Sequence, residues 1–244
     1  MTVDRKVRVA VVGAGPAGVY AADILTKTED LDVTVDILDR DPTPFGLIRY
    51  GVAPDHPRIK EIIKALKRVM SNDDIRFFGN VNFGTDIKLE DLQSFYDAVV
   101  FATGARRDRE LGLPGIDLNG SYGAADFVYW YDGHPDADRD WDFQPHAKQV
   151  AVLGVGNVGL DVARILAKTA EELLVTEIPD NVHAGLQQNA TTDVHVFARR
   201  GPAQVKFTPM ELRELSHSPT IDVIVHPEGF EFDHGSMEAL NAAK

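Results

Sequence analysis

The sequence predicts an α/β protein with two doubly wound parallel sheets, and two observations support this prediction. A β-branched run, a glycine-rich turn and a helical pattern follow one another from residue 7, and the same order recurs from residue 149. Both turns have the spacing Gly-x-Gly-x-x-Gly, which is typical of the first strand–helix turn in a dinucleotide-binding fold. We therefore expect two Rossmann-like dinucleotide-binding domains, both incomplete in this chain.

The first predicted domain, residues 1–112, begins with a strand–turn–helix–strand unit. The β-branched run at 7–12, interrupted only by Arg8 and Ala10, is too continuous for a surface strand and predicts a strand that is covered on both faces. The turn at 13–18 follows it, and apolar residues spaced by three or four predict a helix to about Lys27. The β-branched run at 33–38 predicts a second strand parallel to the first.

The remainder of this domain is predicted to contain a loop, a helix and two short strands. Pro, Gly and aromatic residues dominate 42–57, so we expect an ordered loop there. Apolar residues at helical spacing predict a helix over 57–70. The opposite face of this helix is basic and carries Lys60, Lys64, Lys67 and Arg68. Short strands are predicted at 75–78 and 97–101.

The second predicted domain, residues 113–244, begins where the periodicity weakens. Residues 113–147 are rich in Pro, Gly, Asp and aromatic side chains, which predicts an irregular crossing between domains. The elements predicted after it are a strand at 149–153, a glycine turn at 154–159, a helix at 158–174, an irregular stretch at 179–192, a strand at 194–198 and a helix near 209–215.

The composition excludes several classes of function. The 244 residues contain 25 Lys and Arg against 38 Asp and Glu, which gives a formal net charge of −13, and they contain no Cys. Without Cys there can be no disulfide, thiolate metal site or dithiol redox pair, so any redox chemistry must come from a bound cofactor. The negative charge argues against binding to nucleic acid or an anionic membrane. The His residues show no metal-ligand spacing, and no Gly-x-Ser-x-Gly hydrolase motif occurs, so neither kind of site is predicted.

We expect no targeting segment at the beginning of the sequence. Residues 1–6 are polar, and the first apolar run leads directly into a glycine turn. No apolar run is long enough for a membrane helix, so we expect a cytoplasmic protein.

The two glycine turns predict where nucleotides bind. The first Gly of such a turn permits the tight bend, the second lets the backbone approach a pyrophosphate, and the third lets helix and strand pack closely. The pyrophosphate then lies at the positive end of the helix. The glycines at these positions are Gly13, Gly15 and Gly18 in the first turn and Gly154, Gly156 and Gly159 in the second. One such turn can be a plain tight turn, but two copies in matching contexts favour nucleotide binding.

The end of the second strand in each unit distinguishes the two ligands. Asp39, 26 residues after Gly13, is placed to accept hydrogen bonds from ribose hydroxyls, which favours FAD or NAD. Arg199 and Arg200 stand at the matching place in the second unit, where a guanidinium would pair with the 2′-phosphate of NADP. The alternative for this arginine pair is a solvated charge at the end of a strand.

Longer motifs identify a resemblance. Gly-Val-Ala-Pro-Asp-His-Pro stands at 51–57 and Arg-Arg-Gly-Pro at 199–202, and both are far more specific than a glycine turn. The other matching stretches are 12–18, 42–50, 76–81, 154–164 and 211–215. In this order they resemble the adrenodoxin-reductase-like ferredoxin–NADP reductases, from residue 7 to about 225.

This resemblance implies two Rossmann-type domains, with FAD in the first and NADP in the second. The residues implied to contact FAD are the first-turn glycines together with Ala17, Asp39, Gly46, Leu47 and Val81. Those implied to contact NADP are Gly154 and Gly156 of the second turn together with Arg109, Val155, Asn157, Val158, Arg199, Arg200 and Glu211. The chain departs from the family at Asp39, where Glu is usual, and at Val155, where a polar residue is usual.

The resemblance also implies the reaction. Relatives transfer a hydride from NADPH to the flavin and then single electrons to ferredoxin or a similar iron–sulfur protein. His56 and Glu214 are the candidates for proton handling and ring orientation, although each could instead make only local hydrogen bonds or ion pairs. The basic face of the 57–70 helix could receive an acidic ferredoxin or could simply be solvated.

Two other functions stay open. The matching region corresponds to about half of a full-length member, so the chain is expected to be a fragment, and it could be an isolated nucleotide-binding module without activity. A different NADPH-dependent flavoprotein with two dinucleotide sites is the other alternative. Within that class, the lack of Cys excludes a disulfide reductase and disfavours the small subunit of an amidotransferase-type synthase.

Overall fold

A computed structural model describes residues 6–143, 146–199, 201–230 and 232–242, and the chain divides into two compact units. The first unit contains Met1–Val52 and His56–Arg107, and the second contains Ala53–Asp55 and Asp108–Lys244. The division falls after Arg107, whereas the sequence predicts a boundary after residue 112. The short excursion 53–55 lies within the most specific sequence motif, and nothing in the sequence pattern predicted it.

The first unit is built on a four-stranded parallel sheet with the order β3-β2-β1-β4. Its strands are β1 (Val7–Val12), β2 (Val33–Leu38), β3 (Ile75–Phe78) and β4 (Ala98–Phe101). Its helices are α1 (Pro16–Thr26), α2 (Leu47–Tyr50), α3 (Pro57–Lys60), α4 (Ile62–Met70) and α5 (Leu89–Phe95). Since the strands are parallel, the residues that follow β1, β2 and β4 lie at one edge of the sheet.

Helices cover both faces of this sheet, as a doubly wound fold requires. On one face, Val9 and Val11 of β1 pack in a core with Val19 of α1 and Leu66 of α4. On the other face, the alternate residues of β1 pack in a core with Leu92 of α5. From Val9 to Val12 the strand is apolar because both of its sides are buried there, whereas Arg8 near its start is exposed.

A buried carboxylate lies within this sheet. Asp36 of β2 accepts hydrogen bonds from Arg76 Nε at 2.7 Å and Nη2 at 2.8 Å, and from the Tyr96 hydroxyl at 2.7 Å. Burial, together with the hydrogen bond to Asp36, raises the pKa of Tyr96 to about 12. The charge of Asp36 is therefore matched by Arg76, a residue of the neighbouring strand.

The second unit contains a two-stranded parallel sheet formed by β5 (Gln149–Leu153) and β6 (Asp193–Phe197). Its helices are α6 (Ala124–Tyr131), α7 (Asn157–Ala167), α8 (Asp180–Leu186), α9 (Pro209–His217) and α10 (His234–Ala242), with short 3-10 helices at Glu171–Leu173, Pro202–Gln204 and Pro227–Phe230. Its core joins Phe127 and Trp130 of α6 to the buried face of α7.

The structure confirms the predicted α/β class and most strands. The strands at 7–12, 33–38, 75–78 and 149–153 have the predicted bounds, and the other two differ by one residue. Among the described helices, none has the length and apolar character that a membrane crossing requires.

Several helix predictions were wrong. The stretches 113–147 and 179–192, predicted to be irregular, contain α6 and α8. Four of the eight residues of α6 are buried, so its sequence shows no polar face and the helical period is hidden. The helix predicted over 57–70 is interrupted at Glu61, and the one predicted over 158–174 ends at Ala167.

The basic face predicted for the 57–70 helix is also only partly correct. Lys60 is buried and therefore does not belong to a solvated face. Lys64 is exposed but pairs with Glu61 at 2.9 Å. Lys67 and Arg68 are exposed as predicted.

Candidate functional site

The first glycine turn connects β1 to α1, and its three glycines have different roles. Gly13 has φ +111, and a Cβ there would lie 2.2 Å from the carbonyl oxygen of Ala102. A Cβ on Gly18 would lie 1.9 Å from the carbonyl oxygen of Gly13. Gly15, by contrast, has no atom within 4 Å of the position of its Cβ. Gly13 and Gly18 thus serve the fold, whereas Gly15 borders open space at the start of α1.

A second loop lies against the first turn. The Phe45 N–H donates to the Ala14 carbonyl oxygen at 2.8 Å. Gly46 has φ +48, and a Cβ on it would lie 3.1 Å from Gly15 Cα. Leu47, the next predicted contact, is half exposed at the start of α2. The structure therefore brings together the predicted residues of the turn and of the 42–50 motif.

Asp39 lies at the end of β2 and is hydrogen-bonded to the same turn. Its Oδ2 accepts from the Ala14 N–H at 2.6 Å, and its Oδ1 accepts from the Asp41 N–H at 3.0 Å. Arg106, which sequence reasoning missed, donates to Asp39 Oδ1 at 3.1 Å. The Val81 N–H donates to the Asp39 carbonyl oxygen at 2.9 Å, so Val81 also lies beside the end of β2.

The remaining predicted residues of the first unit are Ala17 and His56. Ala17 is exposed in the first turn of α1, where backbone N–H groups have no partner within the helix. His56 is buried and directly precedes α3.

The second glycine turn repeats the arrangement of the first. A Cβ on Gly159 would lie 2.4 Å from the Gly154 carbonyl oxygen, while Gly156 has no atom within 4 Å. Gly154 has φ +139, a conformation that favours glycine. In both turns, therefore, the third glycine lets the helix approach the strand and the middle glycine borders open space.

A later segment lies directly across this turn. The Lys206 N–H donates to the Val155 carbonyl oxygen at 3.2 Å, and the Thr208 N–H donates to Asn157 Oδ1 at 2.9 Å. Lys206 is exposed, and its side chain has no ion-pair partner within the part of the chain that the structure describes. Sequence reasoning missed Lys206, although it stands only four residues after the Arg-Arg-Gly-Pro motif ends.

Other predicted NADP contacts of the second unit are exposed. Val158 lies in the first turn of α7, and Arg199 follows β6 at the carboxyl edge of the sheet. Arg109 lies near the beginning of the unit. Arg200 falls outside the described residues.

Glu211 and Glu214 belong to an ion network that is centred on Arg164. Arg164 has 0% side-chain exposure and donates from Nη1 to Glu211 Oε2 at 3.2 Å. Glu214 Oε2 lies 3.9 Å from the same nitrogen. Asp161, three residues earlier on α7, accepts from Arg164 Nη2 at 2.8 Å. These contacts set the positions of both predicted acidic residues on α9.

Asp55 completes this network. It accepts from Arg164 Nε at 2.8 Å and Nη2 at 2.9 Å, and from Lys168 Nζ at 2.8 Å. Burial by itself would raise the pKa of Asp55, but the hydrogen bonds and charges of Arg164 and Lys168 outweigh it and hold this pKa far below its usual range. Burial would likewise lower the pKa of Arg164, and Asp55 and Asp161 reverse that effect and raise it.

Comparisons with known proteins show what the chain is similar to. The family described as pyridine nucleotide-disulphide oxidoreductase matches residues 7–201. NADPH-ferredoxin reductase FprA of Mycobacterium tuberculosis is 45% identical over 223 residues, which are 90% of this chain and 49% of that protein. The mitochondrial NADPH:adrenodoxin oxidoreductase of Arabidopsis thaliana is 45% identical over 211 residues, 86% of this chain and 44% of that protein.

A solved structure of M. tuberculosis FprA in complex with NADPH superposes with a TM-score of 0.87 at 40% identity, covering 98% of this chain and 56% of that one. The chain thus spans about half the length of the relatives it matches. These relatives confirm the resemblance to ferredoxin and adrenodoxin reductases. Since some of them are mitochondrial, the cytoplasmic location stays a prediction.

Proposed function

Because the chain belongs to the pyridine nucleotide-disulphide oxidoreductase family, we propose that it is the nucleotide-binding part of an NADPH:ferredoxin oxidoreductase, with FAD in the first unit and NADP in the second. The observation that carries this proposal is the pair of open glycines, Gly15 and Gly156, each at the start of a helix that follows a parallel strand. The sequence contains no Cys, so the chain has no dithiol of its own and its redox chemistry must use the flavin.

The first unit fits FAD. Gly15 leaves room for a pyrophosphate at the N-terminus of an 11-residue helix, where free N–H groups favour negative charge. Asp39 would accept a ribose hydroxyl at the end of β2. Gly46, Leu47 and Val81 would line the same edge of the sheet.

The second unit fits NADP. Gly156 would receive the pyrophosphate at the N-terminus of α7, and the exposed Arg199 would pair with the 2′-phosphate. Lys206, whose backbone is hydrogen-bonded to the turn, adds an exposed positive charge to a chain that is otherwise strongly acidic. Glu211 and Glu214 would face the nucleotide from positions that Arg164 holds.

The flavin, when bound, accepts a hydride from NADPH and passes on single electrons. The protein residues bind and orient the two nucleotides and control protons. His56 is a buried imidazole on the motif segment and would hold or move a proton at a ring nitrogen. Glu214 would do so at a carboxylate oxygen whose place is set by Arg164. An iron–sulfur protein is the proposed electron acceptor, since the relatives are named as reductases of ferredoxin and adrenodoxin.

Separate titrations test the two binding assignments. The purified chain is titrated with FAD, followed by flavin fluorescence, and with NADP, followed by calorimetry. We expect each nucleotide to bind once per chain, with Gly15→Val abolishing FAD binding and Gly156→Val abolishing NADP binding. If the wild-type chain binds neither nucleotide, or if each variant affects the wrong one, the proposal is wrong. NADPH-dependent reduction of a ferredoxin by the FAD-loaded protein then tests the electron acceptor.

A further inference from the structure

A buried cluster of two carboxylates and one guanidinium lies at the carboxyl end of β2. Asp39 is 5% exposed and Asp41 is 4% exposed. The Arg106 guanidinium donates from Nη1 to Asp41 Oδ1 at 2.9 Å and from Nη2 to Asp41 Oδ2 at 2.9 Å, and Nη2 also donates to Asp39 Oδ1 at 3.1 Å. One arginine therefore bridges the carboxylate assigned to the ribose and a second carboxylate that no motif predicted.

We propose that Arg106 is a positioning residue for the adenosine end of the first nucleotide site. Its guanidinium fixes the Asp39 carboxylate against the glycine turn. One lone pair of this carboxylate is left to accept a hydrogen bond from a ribose hydroxyl. The inference rests on the proposed function, in which the first unit binds FAD.

The position of Arg106 in the fold supports this role. Arg106 follows β4, which pairs with β1, while Asp39 follows β2 on the other side of β1. Its side chain therefore reaches across the carboxyl end of β1, where the glycine turn begins. The segment is held close to that turn, because a Cβ on Gly13 would meet the Ala102 carbonyl oxygen at 2.2 Å.

The hydrogen bonds of Asp39 define which acceptor position is left. A carboxylate offers about four lone pairs, two on each oxygen. Oδ1 accepts from the Asp41 N–H and from Arg106, while Oδ2 accepts from the Ala14 N–H alone. Oδ2 thus keeps one lone pair, beside the turn that would receive the pyrophosphate. We expect it to accept one ribose hydroxyl, the 2′-hydroxyl in the usual geometry of this fold.

The positive charge of Arg106 is also needed beside Asp39 and Asp41. Among the described residues, Arg106 is the cation that lies within ion-pair distance of Asp39, while Arg40 Nε lies 3.8 Å from Asp41 Oδ1. Without Arg106, two nearly buried carboxylates would repel each other and the diphosphate of the nucleotide. Removing Arg106 should therefore both release Asp39 from its fixed orientation and weaken nucleotide binding.

The test compares Arg106→Gln with Arg107→Gln in the full chain. Arg107 is a matched control, because it loses the same charge one residue away, is exposed and has no partner among the described residues. We expect Arg106→Gln to weaken FAD binding by about tenfold or more, since it removes a charge-assisted hydrogen bond, and Arg107→Gln to change it by less than about twofold. Circular dichroism checks folding, and Arg106→Lys, which keeps the charge, is the second variant if the Gln variant does not fold.

A ligand comparison separates positioning from general stability. ADP and 2′-deoxy-ADP are each titrated against wild type and against the Arg106 variant. We expect wild type to prefer ADP and the variant to lose most of this preference, because its Asp39 is no longer aligned. A purely structural role would weaken both ligands equally and leave the ratio unchanged, which would overturn the inference.

The outcomes distinguish the inference from the proposed function. If wild type binds FAD and the two Gln variants behave alike, Arg106 has no positioning role and the proposed function stands. If wild type binds neither FAD nor ADP, the proposed function fails and this inference fails with it.

Discussion

Replacing Asp55 by Asn should strongly destabilise the second unit. Asp55 is nearly buried and accepts three charge-assisted hydrogen bonds, two from Arg164 and one from Lys168. Asn places an N–H donor where one of the two carboxylate oxygens accepts these bonds, so at least one donor of Arg164 or Lys168 loses its partner. Arg164, with 0% side-chain exposure, cannot turn to water to replace it.

The expected loss is about 3–5 kcal/mol, the usual cost of breaking a buried ion pair from one side. This is a large part of the roughly 5–15 kcal/mol that stabilises a typical domain. Glu238→Gln is the matched control in the same unit, because it removes an exposed carboxylate that lies 3.5 Å from His234. We expect that variant to change stability by less than about 0.5 kcal/mol.

Urea unfolding followed by tryptophan fluorescence measures this loss. The two Trp residues, Trp130 and Trp141, both lie in the second unit, and their ring centroids are 5.9 Å apart. The signal therefore reports that unit and not the first one. If the free energy of unfolding of Asp55→Asn lies within about 0.5 kcal/mol of the wild-type value, with the same dependence on urea concentration, the buried network does not stabilise the unit as argued.

The pH dependence gives a second check with a defined sign. The folded protein holds the pKa of Asp55 far below its usual value of 3.8, so the charged form stabilises the fold. This stabilisation is complete above that usual value and is lost as the pH falls through the lower folded pKa. The difference in free energy of unfolding between wild type and Asp55→Asn should therefore be constant near neutral pH and should shrink below about pH 4. A difference that grows on acidification would refute the reasoning.

Three further predictions concern other positions. Gly15→Ala should leave the stability of the free protein unchanged and weaken FAD binding, because a Cβ on Gly15 meets no other atom. Gly18→Ala should cost about 1–3 kcal/mol of stability, because its Cβ would meet the backbone of Gly13. Thermal unfolding with and without FAD measures both effects. Arg199→Gln should weaken the binding of NADP but not of NAD, because we assign Arg199 to the 2′-phosphate. Lys206→Gln should weaken the binding of both, because Lys206 is hydrogen-bonded through its backbone to the turn where the pyrophosphate would lie; calorimetric titration distinguishes the two effects. Tyr96→Phe should reduce stability at pH 8, and the difference should disappear as the pH rises from about 10 to 12, since the raised pKa of Tyr96 stabilises the protonated form.

Each of these has an outcome that contradicts it. Equal stability losses at Gly15 and Gly18 would show that Gly15 serves the fold in the same way as Gly18. An Arg199 variant that binds NAD and NADP equally weakly would remove the assignment to the 2′-phosphate. A Tyr96→Phe difference that does not change between pH 8 and 12 would mean that the hydroxyl is not held by Asp36.

The strands could be predicted from the sequence because their burial leaves a local signal. The strand at 7–12 is covered on both faces from Val9 to Val12 and is therefore apolar there, and glycines mark where it ends. The helices α6 and α8 could not be predicted in the same way. The buried aromatic residues of α6 pack on several sides, so no polar face reveals the period.

The glycine motif likewise predicts the site only in part. Its spacing alone does not say which glycine serves the chain and which serves a ligand. The structure separates them, since Gly18 and Gly159 each face a carbonyl oxygen while Gly15 and Gly156 face open space. A substitution at the middle glycine is therefore the informative one for binding.

The charged residues beside the two turns were missed because their partners are distant in the chain. Arg106 and Asp39 are separated by 67 residues, and Arg164 and Asp55 by 109. For Arg106 and Asp39, the strand order would have been enough to predict the pair. In the order β3-β2-β1-β4, the ends of β2 and β4 lie on either side of the turn after β1. An arginine after β4 therefore faces the acid after β2. For Arg164 and Asp55, the strand order would not have been enough, because Asp55 comes from an excursion of 53–55 into the other unit. Of the three carboxylates named above as hydrogen-bonded to Arg164, Asp161 is the one that stands at helical spacing from it. A buried ion pair can thus be predicted from sequence where topology brings two strand ends together, and it needs the structure where a loop supplies the partner.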